Sequence, residues 1–355
     1  MDRSWQIFVL YILIHLGLIF FLYPRDIIVS AGEGHWVEIL LNYGIHLLAI
    51  AVYMKGLGYS GDKDIVGLFF RAGKPVAFLI LVPLALYLSV TVVLVVRILA
   101  EVVIVVFLSK TPIWALAALF LAVSGYIASK GLETLLRTGI LLSFFCLPVI
   151  LFIFAVSFQN VDWRYMFPLR NDFSFVSDMH YWQSLHPVAA GFSFLGFVKP
   201  HSTFKKSRIY LASALLFPFF FFAVYIPLLT FGQATSSTFD FPYSVALDSI
   251  YYSWLVFDKV TIFFLFGLAN FTMLYVAVSL WQPVRIVHRW FPAFKPVYIL
   301  LALLAAAFVS CLCIPDWRTV QNIFAWNAFL RFYVLILLPL STLLLGLRFR
   351  AKVPA

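Results

Sequence analysis

The stretch "HPVAAGFSFLGFVKP", His186 to Pro200, decides how the chain is read. A helix that crosses a membrane needs roughly 20 mostly apolar residues at ~1.5 Å each. Here twelve residues separate Pro187 from Pro200, and Gly191, Ser193 and Gly196 interrupt them. That is too short and too rich in helix breakers for an ordinary span. Three readings stay open: a weak span, a re-entrant loop, or one part of a discontinuous helix.

Composition narrows the setting. Of 355 residues, 64% are hydrophobic and 11% charged, whereas soluble domains carry about 25% charged residues. Long apolar runs leave no wet surface for a basic soluble protein. The chain reads as an all-α polytopic membrane protein, and its net charge of +10 is a matter of topology before nucleic acid. No nucleic-acid-binding motif occurs. The first apolar run, Trp5–Tyr23, lacks a basic start and a small-residue cleavage site, so it reads as a retained helix. Cys146, Cys311 and Cys313 lie in apolar runs without zinc-ligand spacing and read as small buried hydrophobes. No metal or cofactor is expected.

Ten segments are proposed, within one transmembrane domain over 1–355: Trp5–Tyr23, Trp36–Met54, Pro75–Leu108, Pro112–Ala128, Thr138–Phe158, the short sixth, Ile209–Phe231, Trp254–Trp281, Val297–Ile314 and Phe324–Leu347. With both termini in the cytoplasm, 17 of the 25 Lys and Arg residues fall on the inner side and 5 on the outer. Arg97, Lys259 and Arg331 stay within spans. This asymmetry follows the positive-inside rule. If His186–Pro200 did not cross, every later loop would change sides and the asymmetry would collapse. The sixth segment is therefore expected to cross, aided by "YWQSL", Tyr181–Leu185.

Broken helices are tolerated at membrane depth where protein or a cavity covers the freed backbone groups. In transporters they mark substrate sites and recur at matching positions of two inverted halves. Ten spans divide as five plus five, so the sixth would match the first. His15 and Gly17 make one candidate break; Gly191, Phe192, Ser193 and Phe194 make the other. Glycine that permits close helix packing explains either site equally. In the third segment Tyr87, Thr91, Arg97 and Glu101 fall within a stripe about 120° wide. Arg97 and Glu101, one turn apart, can pair. They read as a polar wall beside a cavity, as a structural ion pair, or as groups snorkelling outward. Asn270, Thr272 and Tyr275 in the eighth segment, and Arg331 in the tenth, suit hydrogen bonds between helices. Asn42 and His46, one turn apart, suit packing.

An enzyme would need converging acid, base or metal-binding groups. His180 and His186 with Asp178 nearby sit in an aromatic-rich, interfacial stretch, and no HExxH, P-loop or nucleophile elbow occurs. The chain is not expected to be an enzyme.

Several blocks resemble one family. "RSWQIFVLYILIHLGLIFFLYP" is similar to its opening element, with Gln6, Gly17 and Pro24, and Trp36 downstream. "VVRILAE" resembles its Arg-x-x-x-Glu element at Arg97 and Glu101. "LSKTPIWALAALFLAVSGYIASKGLETLLRTG" places Thr111, Pro112, Gly131, Glu133 and Arg137. "QNVDWRYMFPL" ends at Pro168, and "FG" at 231–232 and "FPYSVAL" from Phe241 continue the pattern. The chain thus resembles the B subunits of spore germinant receptors, the GerAB-like branch of the amino acid–polyamine–organocation transporter superfamily. It departs where Leu16 and Leu18 flank Gly17, and where Gly191 stands near the place of a glutamate that many members carry.

The resemblance implies a LeuT-like fold of five plus five inverted spans with helices 1 and 6 broken, in the spore inner membrane beside A and C subunits and lipid. It implies a germinant, commonly an amino acid, as ligand. The ligand site is expected at His15, Gly17, Tyr87, Thr91, Gly191, Phe192, Ser193, Phe194, Thr272 and Tyr275. No charged residue lies in the sixth segment's break, so a neutral amino acid is expected. The alternative is a proton- or ion-coupled amino acid transporter, with Glu101 as proton carrier.

Overall fold

A computed structural model describes residues 3–61, 63–169, 173–199, 203–250 and 260–350. The expected start of the eighth segment at Trp254, together with Lys259, Arg170 and Pro200, lies outside them. Among the described residues there is no strand. Helices α1 (Ser4–Ile19) and α2 (Tyr23–Ala31) make one apolar span bent by 54°. Then follow α3 (His35–Tyr59), the short α4 (Ile65–Ala72), α5 (Lys74–Val106), α6 (Ile113–Ser129) and α7 (Leu132–Val156). The sixth segment is in pieces: α8 (Met179–Ser184), α9 (His186–Ala190) and a 3₁₀ turn over Ser193–Phe197. After it come α10 (Lys206–Phe231), the short α11 (Gln233–Ser236) and α12 (Pro242–Asp248), then α13 (Val260–Trp290) and α14 (Pro296–Cys313). The last span is irregular: α15 (Trp317–Trp326), α16 (Ala328–Phe332), a π-helical turn at Tyr333–Leu337, and α17 (Leu338–Arg350).

Among the described residues seven helical stretches are long and apolar enough to cross a membrane, and the bent pair α1–α2 makes an eighth. α6, with 17 residues, is shorter, and the sixth segment has no helix of that length. These two account for the difference from the ten expected segments.

The ends of the bundle show that the sixth segment crosses. At the N-terminal end, Arg3 pairs with Glu133 at 3.3 Å and Arg285 with Asp64 at 2.7 Å. There Lys199 Nζ donates to the Gly61 carbonyl at 2.8 Å. At the opposite end, Arg25 pairs with Asp240 at 3.2 Å, His180 Nδ1 lies 3.2 Å from Asp26 Oδ1, and His35 Nε2 lies 2.8 Å from Gln233 Oε1. His180 and Lys199 therefore sit at opposite ends, which removes the re-entrant reading.

Both halves begin with a broken span, as expected, but the first break is displaced. α1 runs unbroken through His15 and Gly17 to Ile19, and the bend falls at 20–22. Pro24 supplies the reason. A proline has no N–H to donate and its ring clashes with the carbonyl four residues earlier, here Phe20. Gly17 instead serves close packing: a Cβ there would lie 2.8 Å from the Phe271 carbonyl carbon and 2.8 Å from the Thr272 nitrogen.

α1 lies at the centre, against α7, α10 and α13. The longest helices, α5 and α13, are the third of each half and pack on each other. α3 packs along α17, where a Cβ at Gly56 would meet the Leu343 nitrogen at 2.6 Å. Faces of α6, α7 and α14 leave Leu119, Phe144, Phe145 and Leu301 exposed, which suits acyl chains.

Candidate functional site

A break in a helix inside a membrane leaves carbonyls that something must bind. In the sixth segment, side chains from three helices bind them. Arg331 Nη1 donates to the carbonyls of Trp182 and Gln183 at 3.0 and 3.1 Å, where α8 ends. His46 Nδ1 lies 3.3 Å from the Val188 carbonyl. Tyr53 donates to the Ser193 carbonyl at 3.0 Å, and Arg285 Nη1 to that of Phe197 at 2.8 Å. Ser193 Oγ donates to Gln282 Oε1 on α13 at 2.9 Å.

Two of these ties, those of His46 and Tyr53, come from one stripe of α3. At 100° per residue Glu38, Asn42, His46 and Tyr53 fall within about 80° of one another. All four face the sixth segment: Asn42 Nδ2 donates to Ser184 Oγ at 2.7 Å, and Ser184 Oγ lies 3.3 Å from Glu38 Oε1. The Glu38, Asn42 and His46 spacing was the signal available in the sequence. Asn42 and His46, read there as packing residues, are hydrogen-bonded anchors. Beyond them the network continues: Tyr11 hydroxyl lies 2.9 Å from His46 Nε2 and 3.1 Å from Ser213 Oγ.

His15 and Gly191 meet at the second break. His15 Nδ1 lies 2.7 Å from the Tyr11 carbonyl, so that nitrogen carries the proton and Nε2 is an acceptor, buried and without a partner. The ring stands where a side chain at Gly191 would be: a Cβ there would lie 2.1 Å from His15 Cε1. Phe192 packs edge-on against Tyr53 at 5.3 Å between centroids, and Phe194 is buried.

The other expected site residues divide into two groups. Gly17 and Thr272 make a helix contact, Thr272 Oγ1 donating to the Gly17 carbonyl at 2.7 Å and also lying 2.8 Å from that of Leu268. Thr91 Oγ1 accepts from Asn327 Nδ2 at 3.5 Å. Tyr87 and Tyr275, by contrast, are fully buried, and their hydroxyls, though neighboured by the Thr91 and Ser279 hydroxyls, make no hydrogen bond of good geometry. Both ring nitrogens of His186 and the Tyr23 hydroxyl likewise lack a partner. Buried polar atoms are almost always paired, so this concentration of unpaired groups beside the two breaks marks a place built for something polar. A cavity of about 20 Å³ adjoins it, lined by Leu22, Tyr23, Val95, His186, Pro187 and Phe324 among others. That is room for about one water molecule, so the site is closed.

Arg97 and Glu101 do pair, but elsewhere. Glu101 lies fourteen residues beyond Tyr87 on α5, ~21 Å along the helix. It opens on a wide cavity shared with Asp240, Asp248 and Trp317. Asn270 donates to its own helix, to the Phe266 carbonyl at 2.8 Å. No group of three or more His, Cys, Asp or Glu suited to a metal occurs among the described residues.

Two broken spans crossing at a closed, polar-lined centre define a multi-pass membrane protein of the LeuT type. Comparison with solved structures agrees: the crystal structure of MhsT in complex with L-phenylalanine matches with a TM-score of 0.69, covering 98% of this chain and 99% of that one at 14% identity. The chain belongs to the spore germination protein family, which it matches over residues 3–318. No curated protein matches it.

Proposed function

We propose that this chain is the germinant-sensing membrane subunit of a spore nutrient receptor. It binds a small neutral amino acid between helices α1, α5, the sixth segment and α13, and passes a conformational shift to A and C subunits in the spore inner membrane. The carrying observation is the set of unpaired buried hydroxyl and imidazole groups beside two helix breaks, in a chain of the spore germination family. A solved protein of similar fold, MhsT, holds an amino acid, L-phenylalanine. A ligand biases a two-state protein only by its difference in affinity for the states. Here the closed site must part around Tyr87, Tyr275 and His186 to admit one. The role is binding and signalling, without catalysis.

The proton-coupled form of the transporter reading gives Glu101 the proton. Its pairing with Arg97, far along α5 from Tyr87, favours a structural role instead. The test is germination of spores whose only receptor contains this chain, over a panel of neutral, acidic and basic amino acids, with tracer flux measured in liposomes holding the chain alone. Response to neutral amino acids without net flux supports the receptor. Uphill uptake by the isolated chain defeats it.

A further inference from the structure

Among the described residues Arg331 is the largest fully buried side chain, and no ion pair contains it. Its Nη1 and Nη2 donate to three carbonyls, those of Trp182, Gln183 and Phe324. Its Nε has no partner. Asp26 is the carboxylate within its electrostatic reach; its Oδ1 lies against His180 and its Oδ2 is buried without a partner, and neither oxygen bonds Arg331. An ion buried in a membrane protein costs several kcal/mol unless its charge is met, and carbonyl dipoles meet it only in part.

The surroundings point to what would complete it. Asn327 and Thr91 touch across α5 and the last span. Arg331 lies one turn beyond Asn327, and Tyr87 one turn before Thr91. The two helices run in opposite directions, so Arg331 and Tyr87 share one level, and Tyr275 interacts electrostatically with both. An unused N–H and two unpaired hydroxyls thus gather at one place, all donors or able to donate. The last span is irregular there: a turn at Asn327 precedes Arg331, and the π-helical turn Tyr333–Leu337 follows it. Such turns accompany functional sites and give a helix slack to move.

We propose that Arg331 Nε, with the Tyr87 and Tyr275 hydroxyls, forms an anion subsite for one small monoanion: the carboxylate of the amino acid ligand or a halide ion. The carboxylate form rests on the receptor reading above; the halide form stands without it. An anion here neutralises the guanidinium, satisfies three orphaned donors, and ties α5 and α13 to the last span.

The test uses the full chain purified in detergent, held in sodium sulfate, with sodium acetate or sodium chloride exchanged in at constant ionic strength. Melting temperature is the readout. Acetate is expected to raise it by several degrees. The double variant Tyr87→Phe with Tyr275→Phe should lose that rise. In sulfate alone it should melt no lower than wild type, since removing an unpaired buried hydroxyl leaves no group unsatisfied. A response to acetate and not chloride identifies the carboxylate form; a response to chloride identifies the halide form. No response to either anion, or an undiminished response in the double variant, overturns the proposal. A chain that responds to chloride but supports no germination by any amino acid sinks the receptor reading and leaves the halide form of this one standing.

Discussion

The imidazole of His15 occupies the space that a side chain at Gly191 would need, with Cε1 2.1 Å and Nε2 2.2 Å from the position of a Cβ. The first broken span thereby fills the break in the second. Gly191 is not in a left-handed conformation, its φ being −90°; its role is room. Gly191→Ala forces the His15 ring away from Tyr11 and His46, at a cost of roughly 1–3 kcal/mol for overpacking. The melting temperature should fall. Made in a His15→Ala background, which opens that space, the same substitution should cost little. Equal losses in both backgrounds would show that His15 and Gly191 do not bear on each other.

Gly17 and Gly44 separate packing from flexibility. Backbone atoms of Phe271 and Thr272 stand 2.8 Å from a Cβ at Gly17, while nothing lies within 4 Å of one at Gly44. Backbone cannot rotate aside, so Gly17→Ala must push α1 from α13 and lengthen the Thr272–Gly17 hydrogen bond. We expect a loss of at least ~1 kcal/mol. Gly44→Ala, inside α3, should be neutral or gain up to about 1 kcal/mol from helix propensity. Unfolding midpoints of the two variants check this, and a harmless Gly17→Ala would contradict the contact.

How much of this was legible in the sequence depends on the kind of signal. The second break announced itself, because Pro187, Gly191 and Gly196 crowd a stretch too short to span. The first did not. Pro24 breaks its span at 20–22, yet Pro83, Pro148, Pro218, Pro227 and Pro283 all lie inside continuous helices. Whether a proline breaks a helix depends on neighbours that satisfy the freed groups, and those come from other spans. For the same reason Arg331 read as one more polar residue. Its partners, Trp182 and Gln183, are about 150 positions away, and they are backbone carbonyls, which every sequence position has. Glu38, Asn42 and His46 carried a readable stripe, but its target is again backbone and a serine.

The α3 stripe should control the mobility of the sixth segment. Tyr53→Phe removes the donor to the Ser193 carbonyl and leaves that acceptor buried and unpaired, a cost of about 1–3 kcal/mol. The local effect is the sharper readout. Hydrogen exchange of peptides covering Gly191–Phe197 should quicken roughly tenfold per 1.4 kcal/mol lost, while peptides of α14 stay unchanged. Uniform quickening across the protein would mean global destabilisation and no specific tie.

Arg97 is 3% exposed at its side chain and Glu101 22%. Removing the carboxylate strands the guanidinium beside an apolar helix, whereas removing both charges does not. Glu101→Gln should therefore lower the amount of folded protein in the membrane, by about 3 kcal/mol in stability where the pair is dry. Adding Arg97→Gln should restore part of it. Ligand response, normalised to protein amount, should be unaffected, because the pair lies ~15–21 Å along α5 from Tyr87. A selective loss of response at full abundance would return Glu101 to the transporter reading.

The closed end opposite the N-terminus is held by a few polar ties. α2 is joined to α8 through Asp26 and His180 and to α12's approach through Arg25 and Asp240, while Ser30 Oγ lies 2.7 Å from Glu38 Oε2. These ties hold α2, whose start adjoins the small cavity lined by Leu22, Tyr23 and His186. Exposed pairs contribute little, but Asp26 is 2% exposed, so its bond to His180 is worth more. Asp26→Asn with His180→Ala should let α2 swing from α8 and open the cavity more often. Leu22→Cys reports this through its rate of reaction with a thiol reagent on purified protein, after exposed Cys313 is replaced by serine; Cys146 and Cys311 are buried. In the otherwise native chain the introduced thiol should react slowly, since the cavity holds about one water. The double substitution should speed the reaction several-fold, and a neutral amino acid that favours the closed state should slow it again. An unchanged rate in the double variant would mean that packing of Phe20, Phe21 and Tyr23, all buried, closes this end without help from the polar ties.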